Sequence, residues 1–385
     1  MTNELVYLDY NATTPMAEEV LEEMLPWMTD RFWNAASIHQ GGRQASWAVD
    51  QARESIADLL GVRPGSICFT SGATEANNLA IKGAMLAAGP SRTRILVGAT
   101  EHKAVLDPAH AMESTGVEVV VIPVDASGLI DEEALAAALD ESVALVSIML
   151  ANNETGVIAP IERLTHAAHE VGALFHTDAT QAVGKIPVDL ESLGVDMASF
   201  SAHKVYGPKG IGALYVARDV ELVPLLHGGG HERGLRSGTM NVPGIVGFAR
   251  AAQLSTTSML VEYERQSELI ADLVDGLRLH IGGVELVGAG SSRLPNTANI
   301  RFEGVDGEAL LANAPLLGVS SGSACTSMTP SPSHVLLAMG YANDEAEQCL
   351  RFSVGRPTRG DEIDQAVAMA AAAVERIRSL EAVSA

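Results

Sequence analysis

The chain has 385 residues, enough for more than one hydrophobic core, and its 47% apolar and 19% charged residues exclude a disordered polymer. A net charge of −23, spread along the chain rather than gathered in a tail, repels phosphate backbones, so direct nucleic-acid binding is not expected. Three cysteines, Cys68, Cys325 and Cys349, have no paired spacing, which sets aside a disulfide framework and points to a reducing, cytoplasmic setting.

The opening MTNELVYLDYNATTP has early acids and lacks the basic start and apolar run of a signal peptide. No apolar run reaches bilayer length, so no membrane partner is expected. From about Arg53 to Ala217 seven apolar runs follow: SICFT, RILVG, EVVVIPV, ALVSIML, ALFHTD, MASFSA and GALYVA. Helix-period segments such as EANNLAIKGAMLAAG and IERLTHAAHEVG lie between them. Strands buried on both faces and alternating with helices predict an α/β fold, a mostly parallel seven-stranded sheet flanked by helices. A glycine-rich stretch, HGGGHERGLRSGTMNVPG, precedes a long helix expected from about Val242 to His280. The shorter runs VELVG, NTANIRFEGV, LLGVSSGSACTS and CLRFSVG and a closing Ala-rich helix predict a smaller α+β domain. The expected division is a large domain over 15–260 and a small one over 1–14 and 261–385.

In such sheets ligands gather at the carboxyl ends of the strands, and the unusual polar residues sit there: TSGATE, ATEH, NNETG, HTDATQ and SAHK. TSGATEANN reads as a strand, a small-residue turn and a helix start. It is either an ordinary helix cap or a phosphate cradle built from backbone N–H groups and the Thr74 hydroxyl. Asp178 at a strand end either caps a helix or pairs with a protonated pyridine nitrogen. Lys204 lies just past another apolar run, where a desolvated amine suits Schiff-base chemistry. A carboxylate and such a lysine on one sheet edge, with a phosphate cradle nearby, are what pyridoxal phosphate requires.

Nine segments in order carry a resemblance: YLDYNATTP, TSGATEANNLAIKG, TEHKAVL, NNETGVIAPI, HTDATQAVGKIPVDL, SAHKVYGPKGIGALYV, GGGHERGLRSGTMNVPGIVGFARA, SSGSACTS and RFSVGRPT. The chain resembles the cysteine desulfurases of the NifS/IscS type, class V aminotransferases within the fold-type I enzymes that use pyridoxal 5'-phosphate. The resemblance implies removal of sulfur from L-cysteine, giving L-alanine and a persulfide on Cys325 for an acceptor protein. It makes Lys204 the Schiff-base lysine and α-proton base, Asp178 the partner of the pyridinium nitrogen, and Gln181 the partner of the phenolic oxygen. His102 would stack on the ring and serve as an acid or base. Ala73, Thr74, Ser201 and His203 would hold the phosphate, with Thr239 reaching it from the neighbouring subunit of a homodimer. Asn153 and Arg351 would hold the substrate carboxylate.

Other candidates have plainer readings. Cys68 and Cys349 read as strand residues packed in a core. His166 and His169 have helical spacing but no third ligand, so a solvated face and no metal site are expected. His227 and His231 read as loop residues, and Lys209, between proline and glycine, as a turn residue. The resemblance also carries two departures: the chain stops soon after the closing helix, and MTPSP follows the cysteine segment. Iron–sulfur assembly, tRNA thiolation, nitrogenase maturation and DNA phosphorothioation all remain open as destinations of the sulfur. The alternatives are a selenocysteine lyase or another pyridoxal-phosphate enzyme of the same fold, a non-enzymatic scaffold, and a nicotinamide dehydrogenase, which the missing dinucleotide fingerprint disfavours.

Overall fold

The computed structural model describes residues 4–321 and 332–384. Cys325 lies outside the described residues. The chain opens with a two-residue strand, β1 (Val6–Tyr7), and two helices, α1 (Glu18–Met28) and α2 (Gln40–Leu59). Strands and helices then alternate: β2 (Ile67–Thr70), α3 (Ala73–Ala87), β3 (Arg94–Gly98), α4 (Lys103–Ala111), β4 (Glu118–Ile122), α5 (Glu132–Ala138) and β5 (Val143–Ser147). They continue through α6 (Ile161–Glu170), β6 (Leu174–Asp178), α7 (Leu190–Leu193), β7 (Met197–Ser201) and β8 (Gly212–Val216).

Each of the seven expected runs forms a strand of one sheet, in the order β2-β8-β7-β6-β5-β3-β4. Strand β8 is antiparallel to both its neighbours, and the other pairings are parallel. The two-residue alternation of strand side chains explains why the inner strands carry apolar residues on both faces. Along β2, Ile67 and Phe69 enter one hydrophobic cluster while Cys68 enters the cluster on the opposite face. Along β3, Leu96 faces the first cluster, and Ile95 and Val97 face the second.

Helix α8 (Val242–His280) has the expected limits. The Asn241 side chain caps its start by accepting from the Gly244 N–H at 3.1 Å, and Pro243 sits in its first turn, where its missing N–H costs nothing. Its early residues Val242, Ile245 and Phe248 belong to the large core; Leu269, Leu273 and Leu277 belong to another. That second core packs an antiparallel sheet against the closing helix Gly360–Ser384 and takes in Val6 and Leu8 from the start of the chain. Its strands are β9 (Val284–Leu286), β10 (Thr297–Phe302), β12 (Ser320–Ser321) and β13 (Cys349–Ser353), in the order β12-β13-β10-β9. The short β11 (Leu317–Gly318) pairs in parallel with β1. Among the described residues no helix is long and apolar enough to cross a membrane.

Candidate active site

A cavity of about 500 Å³ opens at the carboxyl ends of the large-sheet strands. It is lined by Ala73, Thr74, His102, Asn153, Asp178, Gln181, Ser201, His203, Lys204 and Arg351, ten of the twelve residues singled out from sequence. Thr239 is exposed and does not line it. Cys325, the twelfth, is beyond the described residues.

Asp178 is the last residue of β6 and is buried. Its Oδ2 accepts from Asn77 Nδ2 at 2.7 Å and its Oδ1 from the Thr180 N–H at 2.9 Å, so the carboxylate is held from two sides. Lys204 closes a 3-10 turn, Ala202–Lys204, immediately after β7. Its ammonium donates to the main-chain oxygens of Asn11 and Ala12 at 2.5 and 2.8 Å. The turn is anchored beyond the lysine by Tyr206, a non-glycine residue at φ 66°, whose N–H donates to Thr14 Oγ1 at 2.8 Å.

The start of α3 stands where the cradle was expected. Its N-cap, Gly72, offers no side-chain cap, so the first N–H groups of the helix remain for a ligand. The turn comes close to β8: a Cβ on Gly212 would stand 2.7 Å from Gly72 Cα, so only glycine fits there. His203 donates to or accepts from Thr13 Oγ1 at 3.2 Å, and burial together with Lys204 and Lys209 pushes its pKa down to about 4. In the folded, ligand-free protein the His203 ring is therefore neutral at pH 7.

His102 caps α4, its Nδ1 accepting from the Ala104 N–H at 3.0 Å. That bond leaves the proton of the neutral ring on Nε2. Burial lowers its pKa, Asp178 acts in the opposite direction, and Lys204 adds to the lowering. At the far wall, Arg351 on β13 is almost fully buried and pairs with Asp9 Oδ1 at 2.5 Å. Its Nη1 donates to the Asn153 carbonyl at 3.1 Å, and its buried Nε has no partner among the described residues.

Several cavity residues escaped the sequence reading. Asp9 and Asn11 come from the opening YLDYN segment, and Asn77 is buried in α3, one turn behind the cradle. Each lies among other polar residues of its segment, YLDYNATTP or TSGATEANN, so nothing in the local sequence marked it out. Lys209 stands in the expected turn and also lines the cavity. Cys68 and Cys349 are buried strand residues, and burial, the leading cause in each, pushes both thiols up to about 12. His166 is exposed, while His169 bonds Asp196 Oδ2 at 2.8 Å. Among the described residues no cluster of three metal-ligating side chains occurs.

A strand-end lysine, a buried carboxylate, an open helix N-terminus and a buried arginine around one cavity define an α/β enzyme that works on a small anionic substrate. The profile of the aminotransferase class-V family matches residues 6–366. A cysteine desulfurase of Frankia sp. strain EuIK1 is 49% identical over 98% of this chain and 93% of that protein. Among solved structures, a NifS-like protein superposes with a TM-score of 0.90 at 38% identity, covering 96% of this chain and 99% of the other. A structure described as SspA in complex with cysteine has a TM-score of 0.80 at 39% identity, covering 90% and 98%. The chain belongs to the class-V aminotransferase family, in its cysteine desulfurase branch of the NifS/IscS type.

Proposed function

We propose that the cavity binds pyridoxal phosphate and takes the sulfur from L-cysteine, with the residues in the roles their positions suggest. The carrying observation is that Lys204, Asp178 and the uncapped start of α3 line one cavity of suitable size. The donor set fits the cofactor: Asp178, held by Asn77 and Thr180, suits a protonated pyridine nitrogen, and the α3 N–H groups with Thr74 and Ser201 suit a phosphate. When bound, the cofactor withdraws electrons from the substrate's α-carbon.

The chain's own residues divide the remaining work. Arg351 binds the substrate carboxylate through its guanidinium, a charge-assisted contact in a dry wall of the cavity. Lys204 Nζ takes the α-proton, as its place on the cavity wall allows. His102, with its proton on Nε2, is placed to donate or recover a proton beside Asp178. The Cys325 thiolate attacks the substrate sulfur: an S–S bond forms, the C–S bond breaks, its electron pair stays on carbon and is protonated, and alanine leaves. The persulfide left on Cys325 passes its outer sulfur to an acceptor protein.

A homodimer completes the reading. Phe32, Ile38 and Trp47, with Leu21, Leu25 and Met28, are large apolar side chains exposed on and around α1 and α2, which a partner subunit would cover. Thr239, exposed and away from its own chain's cavity, suits a partner's site. The test is borohydride reduction of the purified protein, then peptide mass spectrometry. The expected result is a cofactor adduct on Lys204; an adduct on Lys209, or no bound chromophore, overturns the reading.

A further inference from the structure

Lys185 has no role in the account above and does not line the cavity. Two turns join it to Gln181: the Ala182 N–H donates to the Ala179 carbonyl, and the Lys185 N–H to that of Ala182, each at 3.0 Å. This helix-like winding sets the side chains of residues 181 and 185 next to each other. Lys185 Nζ donates to Gln181 Oε1 at 2.6 Å and to Asn11 Oδ1 at 3.1 Å. Among the described residues it has no carboxylate partner, and the charges that bear on it, Lys204 and Arg351, are both positive. Burial and these two cations hold its pKa well below the ordinary lysine value. Ammonium or amine, its nitrogen still has hydrogens to donate.

Both amides that it meets are fixed from their other ends. Gln181 Nε2 donates to the Asn11 carbonyl at 3.0 Å, and Asn11 Nδ2 donates to the Asn153 carbonyl at 3.2 Å. A main-chain carbonyl only accepts, so turning either amide round would set acceptor against acceptor at that end. The second Nε2 hydrogen of Gln181 has no acceptor among the described residues, and Gln181 faces the cavity.

We propose that Lys185 is a positioning residue that pins the Gln181 amide with its N–H edge towards the cavity, ready to donate to an anionic phenolic oxygen. The inference rests on the pyridoxal phosphate reading and deepens it. A donor there stabilises the phenolate, lowers the basicity of the neighbouring Schiff-base nitrogen and tightens cofactor binding.

The experiment is a pH titration of the visible band of the full-length reconstituted enzyme, with pyridoxal phosphate titrated into the apo-protein. Lys185→Met is expected to raise the midpoint of the band by about one pH unit and the cofactor dissociation constant about tenfold, the size of one lost bond to a charged group. Gln181→Leu is expected to do the same, and the double variant to go no further than Gln181→Leu alone, because the two act through one contact. Lys185→Glu, whose charge Lys204 and Arg351 offset, takes away the donor to Gln181 Oε1 and gives at least as large a rise. It carries the test should Lys185→Met fail to fold. An unchanged midpoint in either Lys185 variant overturns the proposal, as does an undiminished shift when Lys185 is replaced in the Gln181→Leu background. A wild-type protein with no visible band overturns the cofactor reading itself, before any variant is made.

Discussion

Asp9 pairs with the arginine proposed to hold the substrate carboxylate, which makes Asp9→Asn an informative perturbation. The Arg351–Asp9 contact is 2.5 Å, with the arginine side chain 6% exposed and the aspartate 21%. Two unit charges about 4 Å apart interact by about 4 kcal/mol at the effective dielectric of a protein surface. Water reaching Asp9, and the acceptor oxygen that asparagine retains, reduce the loss to about 1–2 kcal/mol. The folded, ligand-free protein loses that amount, and its melting temperature should fall by a few degrees. A substrate carboxylate no longer competes for the guanidinium, so KM for cysteine should drop about tenfold, with kcat changed little. Alanine release against cysteine concentration, together with thermal denaturation followed by circular dichroism, measures both. Lower stability with tighter binding is the expected pair. A KM that rises instead would show that Asp9 orients Arg351 for the substrate, and the competition argument would be wrong.

Cys325→Ser should keep the cofactor and bind cysteine yet release no alanine and carry no persulfide, because a hydroxyl is a poor nucleophile towards sulfur; alanine assay and mass spectrometry check this. Arg351→Ala should raise KM about ten- to a hundredfold by removing a bond to a charged group, read from the same alanine assay. Glu232→Ala should destabilise the fold by about 3–5 kcal/mol in denaturant titration, since it strands the buried Arg53 and the Phe69 N–H that Glu232 accepts from at 2.6 and 2.7 Å. His176, bonded between Ser147 and Ser199, has its pKa pushed down to about 4 by burial, so between about pH 6.5 and 4 the unfolded chain takes up a proton that the folded one refuses. Stability should therefore fall as pH drops through that window and level off below it; His176→Asn should reduce the slope by about one proton, and an unchanged slope would refute the assignment.

The architecture was legible because it is written locally. Seven mostly apolar runs are what strands of a sheet covered by helices require, and an Asn-Val-Pro start fixed α8 at Val242 without help from the fold. Asp178 and Lys204 stood out for the same reason: a charge at the end of an apolar strand is uncommon, and sheets of this kind place their ligands there. No local pattern marks which polar residues meet across the chain. Asn11 reaches Gln181 and Lys185, some 170 positions on, and Asp9 reaches Arg351 after 342. Glu232 sits in a glycine-rich stretch with no apolar run to mark it, yet it is buried against Arg53, 179 positions away. Hydrophobic periodicity is a property of neighbours along the sequence, so the sequence by itself determined the elements and the strand-end chemistry. Hydrogen bonds and ion pairs depend on distances of about 3 Å between groups that only the packed chain brings together. Which acid faces Arg351, which amide Lys185 holds and which way that amide points were decided by the tertiary structure alone.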